Sequence, residues 1–175
     1  KFFVFANPQV VTTDSENNVY LTGYIQNPPD YYTVKYNSSG DEEWNASYDG
    51  GREDYAHDID VDSEGNGYVT GYSGGGINKK YVTIKYNGSN GVELCNKTYD
   101  SPSVNVDIAE GIAVDSYDNV YVTGYTINDS NSDNSFYTIK YNSSGDEIWN
   151  VTYDYYDDNN IETPVSIEID SLDNI

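Results

Sequence analysis

Asp58, Asp60, Asp62, Glu64 and Asn66 alternate along one short stretch, and oxygen ligands in that order suit a hard cation such as Ca²⁺. A second reading of the stretch is an Asx-type turn, in which Asp62 and Asn66 bond nearby backbone amides. The triple acid is particular to this place: the corresponding residues elsewhere read Thr12-Thr13-Asp14, Ala113-Val114-Asp115 and Glu168-Ile169-Asp170. Two further acidic runs, Asp129 to Asp133 and Asp154 to Asp158, suit diffuse cation screening. Calcium is thus the one cofactor the sequence suggests.

Other reactive residues are sparse. Cys95 is the single cysteine and His57 the single histidine. Without a second His or Cys close by, His57 reads as a surface residue and Cys95 as a core residue. Lys35, Lys85 and Lys140 recur in one Lys-Tyr-Asn context, so they read as structural cations paired with an acid such as Asp14, Asp62 or Asp115. His-Glu-x-x-His and phosphate-cradling glycine loops are missing from the chain, and the single His sits at a variable position, so no enzyme is expected. Asn37, Asn45, Asn87, Asn96, Asn128, Asn142 and Asn150 each open an Asn-x-Ser/Thr sequon. Six of these seven fall at two recurring positions, one after the Lys-Tyr pair and one just after a Trp or its equivalent.

The recurrence belongs to the whole chain. Asp14-Ser15-Glu16-Asn17-Asn18-Val19-Tyr20-Leu21-Thr22-Gly23-Tyr24 returns from Asp62 to Tyr72 and from Asp115 to Tyr125, and Asp170 to Ile175 opens a fourth copy. The steps between the leading aspartates are 48, 53 and 55 residues. Each copy holds four short segments rich in Val, Ile, Thr and Tyr, which suit a pleated sheet, separated by turn-forming Asp-Ser-x-x-Asn and Asn-x-x-Gly clusters. No segment carries a helical apolar period. The reading is all-β: three four-stranded antiparallel units of the kind that form propeller blades, plus one extra strand near Val165–Ile169. The array fills residues 1–175, with units at about 10–56, 57–108 and 109–164 and a fourth beginning at 165–175. Their sheets centre near 10–48, 57–99 and 109–153, and Trp44, Cys95 and Trp149 fall at equivalent positions expected to be buried. Three units do not close a ring, so further blades are expected from more chain or from other subunits.

Asp-Ser-x-x-Asn-Val-Tyr-Val-Thr-Gly-Tyr, followed by Tyr-Thr-Ile-Lys-Tyr-Asn-x-x-Gly-x-Glu-x-Trp, resembles the SBBP family of β-propeller repeats. The Tyr-Val-Thr-Gly core is also similar to the YVTN repeats of archaeal surface-layer proteins. The likeness spans residues 10 to 175, and the second copy departs from it at Gly67 and Cys95. It implies a propeller on a secreted or cell-surface protein and carries over no catalytic residues.

The net charge of −22 excludes nucleic acid and anionic membrane surfaces as partners, since both need clustered cations. No run of 18 apolar residues offers a membrane span, and Lys1 to Phe5 is too short for a signal core, so the chain reads as starting after any secretion signal. The leading expectation is an extracellular, non-enzymatic propeller serving as a cell-surface, sheath or filament module that associates with itself. The alternative is recognition of glycans or surface proteins through loops around 25–31, 73–80 and 126–135. A third reading is a propeller lyase or hydrolase with acids at the central channel. In material secreted from a glycosylating host, mass spectrometry should find sugar on the recurring sequon asparagines; seven unmodified asparagines would remove the main support for secretion.

Overall fold

The Asp-Ser-x-x-Asn motif is a hairpin turn closed by its own side chains. The leading Asp carboxylate accepts the backbone N–H of the Asn four residues on, at 2.9 Å from Asn18 and 2.8 Å from Asn66 and Asn119. The residue just before that Asn (Asn17, Gly65 or Asp118) takes φ of 63°, 77° and 60°, the left-handed region that Asn, Asp and Gly tolerate best. The fourth copy makes the same turn, with Asn174 donating to Asp170 at 2.9 Å. The Asn-x-x-Gly clusters close likewise, the Asn37 and Asn142 carbonyls accepting from Gly40 and Gly145, and the second copy, one residue longer, closes from Gly91 to the Asn87 carbonyl.

The computed structural model describes residues 6–25, 28–102, 106–127, 134–153 and 163–175. Among these, the chain between the turns runs in twelve strands without a helix. The first unit is β1 (Ala6–Thr13), β2 (Val19–Ile25), β3 (Asp30–Tyr36) and β4 (Glu42–Tyr48). The second is β5 (Asp54–Val61), β6 (Gly67–Gly75), β7 (Asn78–Tyr86) and β8 (Glu93–Tyr99). The third is β9 (Val106–Val114), β10 (Val120–Ile127), β11 (Asn134–Tyr141) and β12 (Glu147–Tyr153). Within each unit successive strands pair antiparallel, which is the up-and-down meander of a propeller blade. A single parallel pair, Lys79 opposite Val106, joins the second ladder to the third.

Each first strand begins three or four residues earlier than the pattern suggested, because a bulge interrupts it. The bulges leave Gln9, His57 and Glu110 without a partner opposite the Gly of Thr-Gly-Tyr. A Cβ on Gly71 would sit 2.0 Å from the Tyr55 carbonyl oxygen, and one on Gly124 would sit 2.1 Å from that of Ile108. Glycine is required there by close backbone approach.

The apolar cores lie between blades. One joins Tyr20, Tyr31 and Trp44 of the first unit to Ile59, Val69, Val82 and Ile84 of the second. The other joins Tyr68 and Tyr81 of the second to Ile112, Val120, Val122 and Ile139 of the third.

Three expectations change. The stretch 73–80, read as a loop, is mostly laddered: Ser73 pairs with Lys80, Gly74 with Lys79 and Gly75 with Asn78, with Gly76 turning at φ 64°. Val165–Ile169 forms no strand; the segment instead passes beside β9, with Ser166 and Ile167 next to Gly111. Finally, Trp149 is 37% exposed while Trp44 is 6% exposed, and Cys95 is half-buried. The positions are equivalent, but Trp44 faces a following blade and Trp149 does not. The acidic runs Asp129 to Asp133 and Asp154 to Asp158, and Asn128, lie outside the described residues.

Replacing Trp44 with Ala should therefore cost about 3–5 kcal/mol, and the same change at Trp149 less than about 1 kcal/mol. Chemical denaturation of the two variants measures both; equal losses would contradict the placement.

Candidate assembly interface

The faces between blades are built by one set of contacts used twice. The position of Trp44 and Cys95 meets the closing glycine of the next blade's Asn-to-Gly turn: a Cβ on Gly91 would lie 2.7 Å from the Trp44 ring, and one on Gly145 would lie 2.6 Å from Cys95 Sγ. The Trp44 indole N–H also donates to the Gly88 carbonyl at 2.9 Å. Lys35 Nζ reaches the same Gly88 oxygen at 2.9 Å, and Lys85 Nζ reaches the Ser143 oxygen of the following turn at 3.3 Å. The Tyr31 hydroxyl donates to Val82 O at 3.3 Å, and Tyr81 donates to Tyr137 O at 3.4 Å. On the turn side, Ser63 donates through N and Oγ to Asp118 at 2.9 and 3.0 Å, and Ser116 does the same to Asp173 at 3.1 and 2.8 Å.

Both ends of this series are open. Trp149, Val151 and Tyr153 occupy the places of Trp44, Ala46 and Tyr48, and they are 37%, 52% and 58% exposed. At the other end Val11 is 60% exposed, whereas its counterparts Ile59 and Ile112 are 3% exposed. Gly40, the counterpart of Gly91 and Gly145, has no atom within 4 Å of where its Cβ would lie. The third blade thus carries an uncovered aromatic knob and the first an unfilled glycine seat.

The recurring lysines sit where the sequence puts them, with one difference. Lys85 pairs with Asp62 at 3.1 Å and Lys140 with Asp115 at 3.4 Å, each ammonium also lying over the ring of Tyr68 or Tyr121. Lys35 pairs with Glu43 at 3.0 Å and not with Asp14. Glu43 is replaced by Leu94 and Ile148 in the other copies, so only the first blade offers a competing carboxylate beside the ammonium. Burial pushes the carboxyls of Asp14, Asp62 and Asp115 up, but the amides and backbone N–H groups of Asn18, Asn66 and Asn119 outweigh it and hold all three below the ordinary value. Burial lifts the Tyr68 hydroxyl to about 12, so it remains a proton donor to Asp62.

The expected calcium loop takes another form. Asp58 and Asp60 lie on β5 and accept the backbone N–H groups of Ile112 and Val114 on β9 at 2.9 and 2.8 Å. Asp62 is the turn anchor, and Asn66 donates to both Asp62 and Glu64. Among the described residues these acids do not converge on a common point. Asp58 and Asp60 fasten one blade to the next, a role their spacing alone could not distinguish from chelation. His57 is likewise an inter-blade residue: its Nδ1 lies 2.9 Å from Glu110 Oε2, bulge against bulge.

The sequons divide by role. Asn37, Asn87 and Asn142 use their side-chain oxygens inside their own turns. Asn45 and Asn150 are exposed on outer strands, whereas Asn96 is half-buried. Equivalence in the repeat therefore does not give equal exposure, because each unit has a different neighbour.

Residues 103–130, which span β9, the Asp115 turn and β10, match the family model of the SBBP β-propeller repeat. The chain carries an SBBP-type propeller repeat. A search of the curated proteins finds no match to the chain. The first and second units reproduce the ladder and turn of the SBBP-matched unit, so this is a β-propeller type of protein.

The carboxyls predict a two-sided pH profile. Burial raises Asp58 and Asp60, so these groups gain protons in the folded state first and add stability as pH falls from neutral. Asp14, Asp62 and Asp115 do the reverse, and their contribution is lost as pH falls through their depressed folded values, below the ordinary range near about 3.9. The thermal midpoint should rise as pH falls from neutral toward the ordinary carboxylate range and drop below about pH 4. A steady decline from pH 7 would contradict this balance.

Proposed function

We propose that this chain is an extracellular, non-enzymatic structural module whose open blade faces are completed by further blades, from the same polypeptide or from neighbouring copies, to build a cell-surface, sheath or filament assembly. The observation that carries the reading is the contrast at one repeat position: Trp44 is buried on the next blade's glycine turn while Trp149, on an otherwise equivalent strand, stands exposed with no such turn against it among the described residues. A row of exposed apolar side chains matching a buried row elsewhere in the same chain is the mark of an interface waiting for its partner. The seat it needs, an Asn-x-x-Gly turn, is the one Gly40 leaves open on the first blade. A head-to-tail contact of this kind is heterologous and leads to rings or filaments according to its rotation. The sequons and the acidity support a place outside the cell.

A second reading, recognition of a ligand, rests on a cleft of about 700 Å³. Arg52, Lys79 and Lys80 line it together with Ser73 and Asp100. Three of the eight basic residues thus gather at one cleft of a chain with net charge −22, which favours an anionic sugar over a neutral one.

Light scattering at micromolar concentration should show a defined oligomer or aggregation, which Trp149→Lys with Val151→Lys abolishes. A stable wild-type monomer would contradict the assembly reading, and a rise in melting temperature on adding uronate oligosaccharides to such a monomer would favour the cleft.

A further inference from the structure

Where the first blade meets the second, Asp30, Asp49 and Asp54 bring one carboxylate oxygen each to within 4.8 Å of one another. Asp30 opens β3, Asp49 follows β4 and Asp54 opens β5, so the three come from both sides of the joint between blades. Asp54 is 0% exposed. Its Oδ2 accepts the Gly50 N–H at 2.6 Å, and Asp49 accepts the Gly51 N–H at 2.7 Å. The other oxygen of Asp54, Oδ1, is buried with no hydrogen-bond partner, and so is Oδ1 of Asp30. A buried carboxylate oxygen facing like charges and lacking a donor needs a counter-charge.

The next joint provides an internal comparison. There Asp107 replaces Asp54, Asp100 replaces Asp49 and Lys80 replaces Asp30; the buried Asp107 takes the N–H and hydroxyl of Ser101 on Oδ2 at 2.9 Å each, while its Oδ1, like that of Asp54, has no hydrogen-bond partner. The second joint carries its own ammonium at the position where the first has a third acid.

We propose that Asp30, Asp49 and Asp54 bind a single divalent cation of the calcium class that fastens the first blade to the second. An all-oxygen, carboxylate-rich site on loop and strand ends, partly open to solvent, matches the coordination that Ca²⁺ takes and that softer metals do not favour. This site is separate from the Asp58 to Asn66 stretch and from the open faces, so its failure leaves the assembly reading intact.

Terbium binding to the full chain, read by tyrosine-sensitised luminescence at fixed ionic strength and competed with Ca²⁺, tests it. One tight site is expected, with a Ca²⁺-dependent rise in melting temperature. Asp30→Lys, which copies the second joint, should weaken terbium binding by at least about tenfold and abolish the rise while keeping the fold, since affinity follows ligand charge count. Asp58→Asn should leave the affinity unchanged. The proposal is overturned if the wild type gives no saturable site, if Asp30→Lys binds as the wild type does, or if the Asp58→Asn change is the one that removes binding.

Discussion

A four-stranded meander in this protein has no core of its own. The large buried side chains sit on the surfaces that successive blades press together, and the polar contacts that hold those surfaces are drawn one from each partner: indole to glycine turn, lysine to carbonyl, serine to aspartate. Each blade is therefore stable only as far as its neighbour is present, which is the nearest-neighbour energetics of a repeat array. The strict length from the leading Asp to Gly of Thr-Gly-Tyr follows from the same constraint. That hairpin carries the turn anchor, the bulge and the close glycine approach, and a single inserted residue would turn its apolar side chains to the wrong face.

The acidity is tolerable because many of the acids are structural acceptors. Asp14, Asp62, Asp115 and Asp170 anchor turns, Asp118 and Asp173 reach back to the preceding blade, and Asp58 and Asp60 bond the next one. Hydrogen bonds from backbone N–H groups are strong when the acceptor is charged. The same carboxylates repel one another, and only eight basic residues oppose thirty acids. Lys85 and Lys140 are spent on the turn anchors, while Asp30, Asp49 and Asp54 gather at the first joint with Oδ1 of Asp30 and of Asp54 lacking a hydrogen-bond partner.

Much of this was legible in the sequence. The period, the strand composition and the turn clusters give the twelve strands and their antiparallel order, because turn chemistry and β-propensity act locally. The pairing of Lys85 and Lys140 with their aspartates was legible for the same reason: internal copies repeat both partners. The rest depends on which blade faces which. Trp149 reads like Trp44 but lacks a neighbour, and Lys35 reads like Lys85 but has Glu43 beside it. Asp58, Asp60 and Asp62 look like a chelating series, yet two of them face another strand's N–H groups, a partner fifty-four residues away. Asp30, Asp49 and Asp54 share no motif and meet only through the fold.

The dependence of each blade on its successor can be measured directly by native-state hydrogen exchange on this chain under conditions where it is monomeric. If blades are stabilised by the neighbour they press against, amides of β6 and β7, covered on both sides, should exchange only through the largest opening, whereas those of β11 and β12 should exchange through a much smaller one. Equal protection across all three units would show that each blade is stable alone and would contradict the account.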